Sequence, residues 1–239
     1  MPAQQMNIAK RQALLLFIQG EGKGKSFGFG RRMDQSIHQA MIYRTYDLLQ
    51  RIHHTDIVVV QDGEAPLLAD AIYLPQRGTN LNECFCTALQ DTFALGYERV
   101  VAVGGDIPTL DSNDLYQALY SNEVVLGPSC DGGFYLAGLG KEDVRFFNNL
   151  PWRQSHLFSH LIERLADSRR CCEQLPRRRD IDHATDGRKN ASLLMKLVHV
   201  WLNIYPSIHS RSTARGQFLT DRIPEPRYSA LPPPVFSLA

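Results

Sequence analysis

The 239-residue sequence holds no apolar run approaching the ~20 residues that a membrane-spanning helix needs. Its first continuous run, Ala13 to Ile18, follows Lys10 and Arg11 like the core of a secretion signal. It is too short for one, and Gln, Gly and Glu follow it at once, so the sequence reads as a cytoplasmic protein with no membrane span. A surplus of one charge sign is also missing: the formal net charge is +1, which excludes bulk attraction to nucleic acid or to an anionic surface. Zinc-type pairing of cysteines is absent. The five cysteines fall as C-x-C at Cys84 and Cys86, an adjacent pair at Cys171 and Cys172, and a lone Cys130, which suits buried or incidental thiols. His156 and His160 have one-face helical spacing, but no Glu follows His156, so the metalloprotease pattern fails.

What the sequence does contain is alternation. Ala13 to Ile18, Asp56 to Val60, Ala71 to Leu74, Val100 to Val103 and Val124 to Leu126 are short apolar or β-branched runs, the pattern of buried strands. Between them, Asp34 to Ile52, Asn80 to Leu95 and Ser112 to Tyr120 carry apolar residues at helical spacing. A helix over Gln154 to Ser168, a strand-like Cys172 to Leu175 and a helix over Ala191 to Ile204 follow. Alternating β and α predicts a mostly parallel sheet with helices on both faces, its ligands gathered beyond the carboxyl ends of the strands. Residues 1–205 are expected to form this domain. Pro206 to Ala239 holds six of the 13 prolines and is expected to be a poorly ordered tail.

Two segments fall on the ligand edge of such a sheet. Gln19 to Arg32, QGEGKGKSFGFGRR, joins the first strand to the first helix with five glycines and the cations Lys23, Lys25, Arg31 and Arg32. Glycine permits close backbone approach and cations neutralise phosphate, so Gly20, Lys23, Lys25 and Arg31 are phosphate-binding candidates; the alternative is a solvated connector. The P-loop pattern fails by one residue, because only three positions separate Gly20 from Gly24 before Lys25 and Ser26. The second segment, VGGDIPTL, places Gly105 and Asp106 just past the fourth strand. Asp106 either caps the turn that Pro108 stiffens or offers a carboxylate to a cation. With Asp131 in DGGFYL and Asp180 and Asp182 in RRRDID, it makes a set of loop carboxylates that suits a hard divalent ion, Mg or Mn, shared with substrate phosphates.

RVVAVGGDIPTLDSNDLYQAL followed by EVVLGPSCDGGFYLAGL resembles the bacterial transferase family named for association with radical-SAM and selenodomain genes, transferase 1 type. The resemblance extends over about Ala13 to Asp186 and includes NLPW at Asn149 to Trp152. It implies a Rossmann-like GT-A fold, related in architecture to molybdopterin-guanylate and lactyl-phosphate-guanylate nucleotidyltransferases. It also implies that Asp106 matches the aspartate of the family's D-x-P turn, Asp131 that of its D-G-G-[YF] segment, and Asp182 the second aspartate of its D-[VI]-D element, a metal ligand beside Asp106. Two departures stand out. The first loop lacks the family's proline-glycine opening and K-T-R-L-like sequence, and His183 and Ala184 replace the Thr and Pro that usually follow the second aspartate.

The expectation is therefore a metal-dependent transferase that takes a nucleotide sugar and a small-molecule acceptor. Asp106 and Asp182 would hold the ion, Lys25 or Arg31 would meet phosphate, and Asp131 would orient or deprotonate the acceptor. A nucleotidyltransferase that consumes an NTP and releases pyrophosphate is the nearest alternative, and a nucleotide-binding protein without turnover is another. Trp152 reads equally as a stacking residue or as packing under a helix. Arg177 to Asp180 reads as a solvated charge run or a phosphate clamp.

Overall fold

A computed structural model of the protein describes residues 11–18, 26–61, 68 and 70–204. Gly20, Lys23, Lys25 and the proline-rich tail lie outside the described residues. The strands are β1 (Gln12–Ile18), β2 (Asp56–Gln61), β3 (Ile72–Pro75), β4 (Arg99–Gly104), β5 (Val124–Pro128), β6 (Phe134–Gly140) and β7 (Cys172–Gln174). The helices are α1 (Arg31–Gln50), α2 (Leu81–Ala94), α3 (Ser112–Tyr120), α4 (Leu157–Asp167), α5 (Ala184–Lys189) and α6 (Ala191–Ile204), with a 3-10 helix over Lys141–Phe147.

The seven strands form one sheet in the order β3-β2-β1-β4-β6-β5-β7. It is mostly parallel, and β6 runs antiparallel to both of its neighbours, β4 and β5. Leu14, Leu15 and Leu16 of β1 are fully buried, each contributing roughly 2 kcal/mol by area transfer. Strand periodicity sends them to alternate faces. Ala13, Leu15, Val100 and Ala102 pack with Phe85 and Leu89 of α2 and Leu161 and Leu165 of α4. On the face of Gly138, a Cβ on that glycine would lie 3.0 Å from the Cβ of Ala118, so α3 seats directly on the strand backbone.

Local chemistry sets the helix starts. The Asn80 side chain accepts from Glu83 N at 3.0 Å while the Glu83 carboxylate accepts from Thr79 N at 2.8 Å, which caps α2. Asp111 and Asp114 exchange side-chain and backbone bonds as a capping box for α3. α1 begins at Gly30 without a side-chain cap; the buried Asp34 instead folds back to accept from Phe29 N and Ser26 Oγ, both at 3.1 Å.

Register decides what meets at the upper edge. Phe17 pairs with Gly104 and Val103 with Leu136, so β1 and β4 end where the antiparallel β6 begins. Beyond β7 the chain continues along β5 through a Ser129–Arg178 bridge, with Leu175 N donating to Leu126 O and Arg178 N to Pro128 O. It then crosses the strand ends to Asp106, whose carbonyl accepts from Ile181 N at 3.2 Å. Asp106, Asp131, Asp180 and Asp182 thus arrive at one edge by three different routes.

Candidate active site

The edge opens into a cleft of about 500 Å³, within the size range of small-molecule sites. Asp106, Asp131, Asp180 and Asp182 line it together with Phe17, Phe85, Phe134 and Trp152.

Each glycine of the GGD turn has its own reason. A Cβ on Gly104 would sit 2.7 Å from Asp106 Oδ1, so the strand must end in glycine for the carboxylate to lie across it. A Cβ on Gly105 would press to 3.0 Å from the Ile42 side chain, so this residue brings the turn against α1. In the DGG turn, Asp131 Oδ1 accepts from Gly133 N at 2.9 Å and, in a very short bond, from Ser129 Oγ. Gly132 has φ 94°, and a Cβ there would lie 1.9 Å from Ser155 O. Any larger residue would separate Asp131 from the segment that carries Trp152.

Carboxylate oxygens of Asp131, Asp180 and Asp182 lie within 4.8 Å of one another. Burial, then the negative charges of Asp131 and Asp182 and, more weakly, Asp106, push the Asp180 carboxyl from 3.8 up to about 7. An all-oxygen, multiply charged donor set of this spacing fits a hard divalent cation, Mg or Mn, and is a poor fit to soft metals. Asp106 and Asp182 thus line the cleft with Asp131, and Asp180 joins them more tightly than RRRD suggests on its own. The missed signal is the backbone pairing of Ile181 to Asp106, which the linear sequence does not carry.

Arg31 and Arg32 are exposed at the start of α1 and neither lines the cleft. Among the described residues, Arg153, His38 and His183 also line it. Two of the three arginines of RRRD are held by the fold. Arg177 Nη1 donates to Ser129 O at 2.9 Å, and Arg178 pairs with Asp111 and Asp114 at 2.8 and 2.6 Å. Arg179 lies 3.8 Å from Asp186. Helix α4 starts at Leu157 rather than Gln154, because Arg153 at φ 63° and a turn from Pro151 to Gln154 come first. His156 is therefore its N-cap residue, and His160 meets Arg164 at 3.3 Å. All five cysteines are free thiols. Among the described residues, no helix is long and apolar enough to cross a membrane.

Residues 50–154 match the sequence profile of a family described as an uncharacterized protein conserved in bacteria, DUF2064. A comparison with curated proteins gave no match. Among solved structures, the chain is similar to a protein of Desulfovibrio desulfuricans G20 provisionally described as a nucleotide-diphospho-sugar transferase. The two share 23% identity at a TM-score of 0.67, over 79% of this chain and 98% of that one. It is also similar to 4-diphosphocytidyl-2C-methyl-D-erythritol synthase of Anaerococcus prevotii DSM 20548, with 13% identity and a TM-score of 0.50, over 77% of this chain and 96% of that one. At these identities the likeness establishes the architecture alone: the chain shares the mixed α/β fold of these two proteins.

Proposed function

We propose that this chain is a divalent-metal-dependent transferase that uses a nucleotide-activated donor and moves a glycosyl unit to a small-molecule acceptor. The observation that carries the reading is the convergence of Asp131, Asp180 and Asp182, with Asp106 beside them, at the carboxyl edge of the sheet. The fold likeness to a protein described as a nucleotide-diphospho-sugar transferase supports a glycosyl donor by analogy.

In this reading Asp180 and Asp182, with Asp106 beside them, would hold Mg or Mn, which would supply positive charge to offset the negative charge of a departing diphosphate. The chain's own groups do the rest. Asp131 has Oδ1 engaged by Ser129 and Gly133, which fixes its plane. Its other oxygen meets the acceptor hydroxyl and takes the proton as the new bond forms. Lys23 and Lys25, which fall between β1 and α1 in the sequence, and Gly105, at the turn beside Asp106, meet the phosphates. Arg31, exposed and outside the lining, contributes only to the field. The apolar residues of the cleft lining exclude water that would otherwise compete with the acceptor.

The test is calorimetric titration of a nucleoside diphosphate, with and without Mn, into the parent and into Asp106→Asn and Asp182→Asn. The expected result is Mn-dependent binding in the parent and its loss in both variants. Equal affinity and equal Mn dependence in all three would remove the metal site. Product analysis then separates the reactions: nucleoside diphosphate release marks glycosyl transfer, and pyrophosphate release marks nucleotidyl transfer.

A further inference from the structure

The proposed function gives Trp152 no contact with donor or acceptor, and its setting is unusual for a residue that only packs. The segment Asn149–Arg153 is bracketed by two non-glycine residues in the left-handed region, Asn149 at φ 54° and Arg153 at φ 63°. Such backbone is costly and persists where the surroundings enforce it. Here Asn149 N donates to Asn82 Oδ1 at 2.8 Å, Asn82 Nδ2 donates to Phe147 O at 2.7 Å, and Trp152 N donates to Leu150 O at 2.9 Å. The enforced turn lays the indole against Phe85 and Phe134, with ring centroids 5.2 and 5.5 Å away and planes tilted by 56° and 64°. A phenylalanine could make those contacts. The indole adds a buried Nε1–H that finds no hydrogen-bond partner among the described residues, a cost that packing alone does not repay.

Position supplies the reason. Trp152 lines the catalytic cleft and also a second, more polar groove of about 970 Å³, walled by Gln76, Thr79, Asn80 and Asn82, so it stands where the two cavities join. Arg153 and Gln154 line both cavities as well. The approach of Gly132 to Ser155 and the bond from Phe158 N to Gly132 O at 2.8 Å lock this segment to the turn that carries Asp131. Aromatic surface binds the apolar face of a ring, while polar groups around it hold the ring's hydroxyls.

We infer that Trp152, flanked by Phe134 and backed by the buried Phe85, is the acceptor platform: the acceptor is a hydroxylated ring whose face lies on the indole, whose hydroxyl reaches Asp131, and whose substituent runs past Trp152 into the polar groove. The inference rests on the proposed transferase reading for the word acceptor, and the ring site itself is independent of metal. A sugar ring and an aryl alcohol share this chemistry, and the test separates them.

Saturation-transfer NMR on the full chain uses four probes: phenyl β-D-glucopyranoside, methyl β-D-glucopyranoside, phenol and glycerol. The expected result is binding of phenyl β-D-glucopyranoside, at least fivefold weaker in Trp152→Leu, within threefold of the parent in Trp152→Phe, and the same with and without Mn. Binding of methyl β-D-glucopyranoside without phenol assigns a sugar ring; the reverse assigns an aryl ring. A second readout needs no variant. The chain has two tryptophans, and Trp201 is buried beside Tyr43 at 5.9 Å, so a saturable change in emission with the same probe reports Trp152. No ring probe bound, glycerol bound as well as the ring probes, binding undiminished in folded Trp152→Leu, or binding without a change in emission each overturns the inference. Loss of the Mn-dependent titration at fixed ring binding would instead sink the metal reading alone.

Discussion

The amide of Ile181 donates to the carbonyl of Asp106 at 3.2 Å, and this one bond joins the two acidic segments of the site. Ile181 is buried, so the residues on either side of it, Asp180 and Asp182, are both turned to the cleft that Asp106 lines. The arrangement concentrates negative charge, and titration should reveal it. Folding raises the Asp180 carboxyl from 3.8 to about 7. Between those values the folded protein keeps a proton that the unfolded chain has released, so metal-free stability should fall as pH rises from about 4 to about 7 and level off above. Asp180→Asn should flatten that decline and raise the melting temperature at pH 8 more than at pH 5. Mn should act in the opposite sense, stabilising the parent more at pH 8 than at pH 5, because binding must displace the proton. Melting curves at the two pH values, with and without Mn, decide it; a parent whose metal-free stability rises across this range contradicts the charge cluster.

Gly132 offers a sharper probe of how the site is held. Alanine there must adopt φ 94° and must place its Cβ 1.9 Å from Ser155 O, so the turn or the Ser155 segment has to move. Gly132→Ala should cost about 1 to 3 kcal/mol from backbone strain alone. It should also weaken nucleoside diphosphate and ring-probe binding together, because Asp131 and Trp152 flank the displaced contact. Gly30→Ala is the control: it shares a positive φ of 90°, but nothing lies within 4 Å of its Cβ, so it should cost stability without disturbing Asp131.

The sequence makes these elements legible to different degrees, for physical reasons. The α3 bounds Ser112 to Tyr120 are readable because Asp111 and Asp114 write a capping box in four residues. The strands β1, β2 and β4 are readable because full burial leaves continuous apolar runs. Strand direction leaves no local mark, so nothing in FYLAGLG announces that β6 is antiparallel, although that reversal is what brings Asp131 to Asp106. Asp106, Asp131 and Asp182 stand out beside glycines or other carboxylates. The closeness of Asp180 and the approach of Trp152 to the cleft depend on pairings between segments far apart in sequence. Arg31 looks like a phosphate ligand by its neighbours, and the start of α1 leaves it exposed and outside the lining.

Arg178 separates a structural charge from a functional one. Its guanidinium reaches Asp114, whose side chain is 5% exposed, and lies over the Tyr135 ring at 6.0 Å, while Asp114 also completes the α3 cap. Hydrogen bonds to Asp114 hold its pKa above the ordinary arginine value against the opposing effect of burial. Arg178→Ala strands a buried carboxylate and should cost about 3 kcal/mol. Below the melting transition, nucleotide affinity should stay within twofold of the parent. A tenfold loss of affinity in a folded variant would mean that the arginine meets phosphate after all.

The last prediction concerns the two places where the chain departs from its resemblance, the first loop and His183-Ala184. The structure puts them in contact: a Cβ on Gly28 would lie 3.1 Å from the Cβ of Ala184, and a Cβ on Gly187 would lie 2.2 Å from Phe27 O. His183 is the N-cap of α5 at φ −125° and ψ 163°, with no side-chain cap bond, and Ala184 is the first helical residue. Proline suits that first position, where a helix has no use for the amide, and the residue before a proline prefers the extended backbone that His183 already has. Threonine at the cap would supply the missing side-chain acceptor, worth about 1 kcal/mol. Ala184→Pro would add about 0.4 to 1 kcal/mol by narrowing the unfolded ensemble. The double variant His183→Thr, Ala184→Pro should therefore melt about 3 to 8 °C higher than the parent, given the usual scaling for a domain of this size. Its Mn-dependent nucleotide binding should be unchanged, because Asp182 keeps its backbone. A lower melting temperature would show that this chain has refitted the first loop to His183 and Ala184, making the two departures one coupled change.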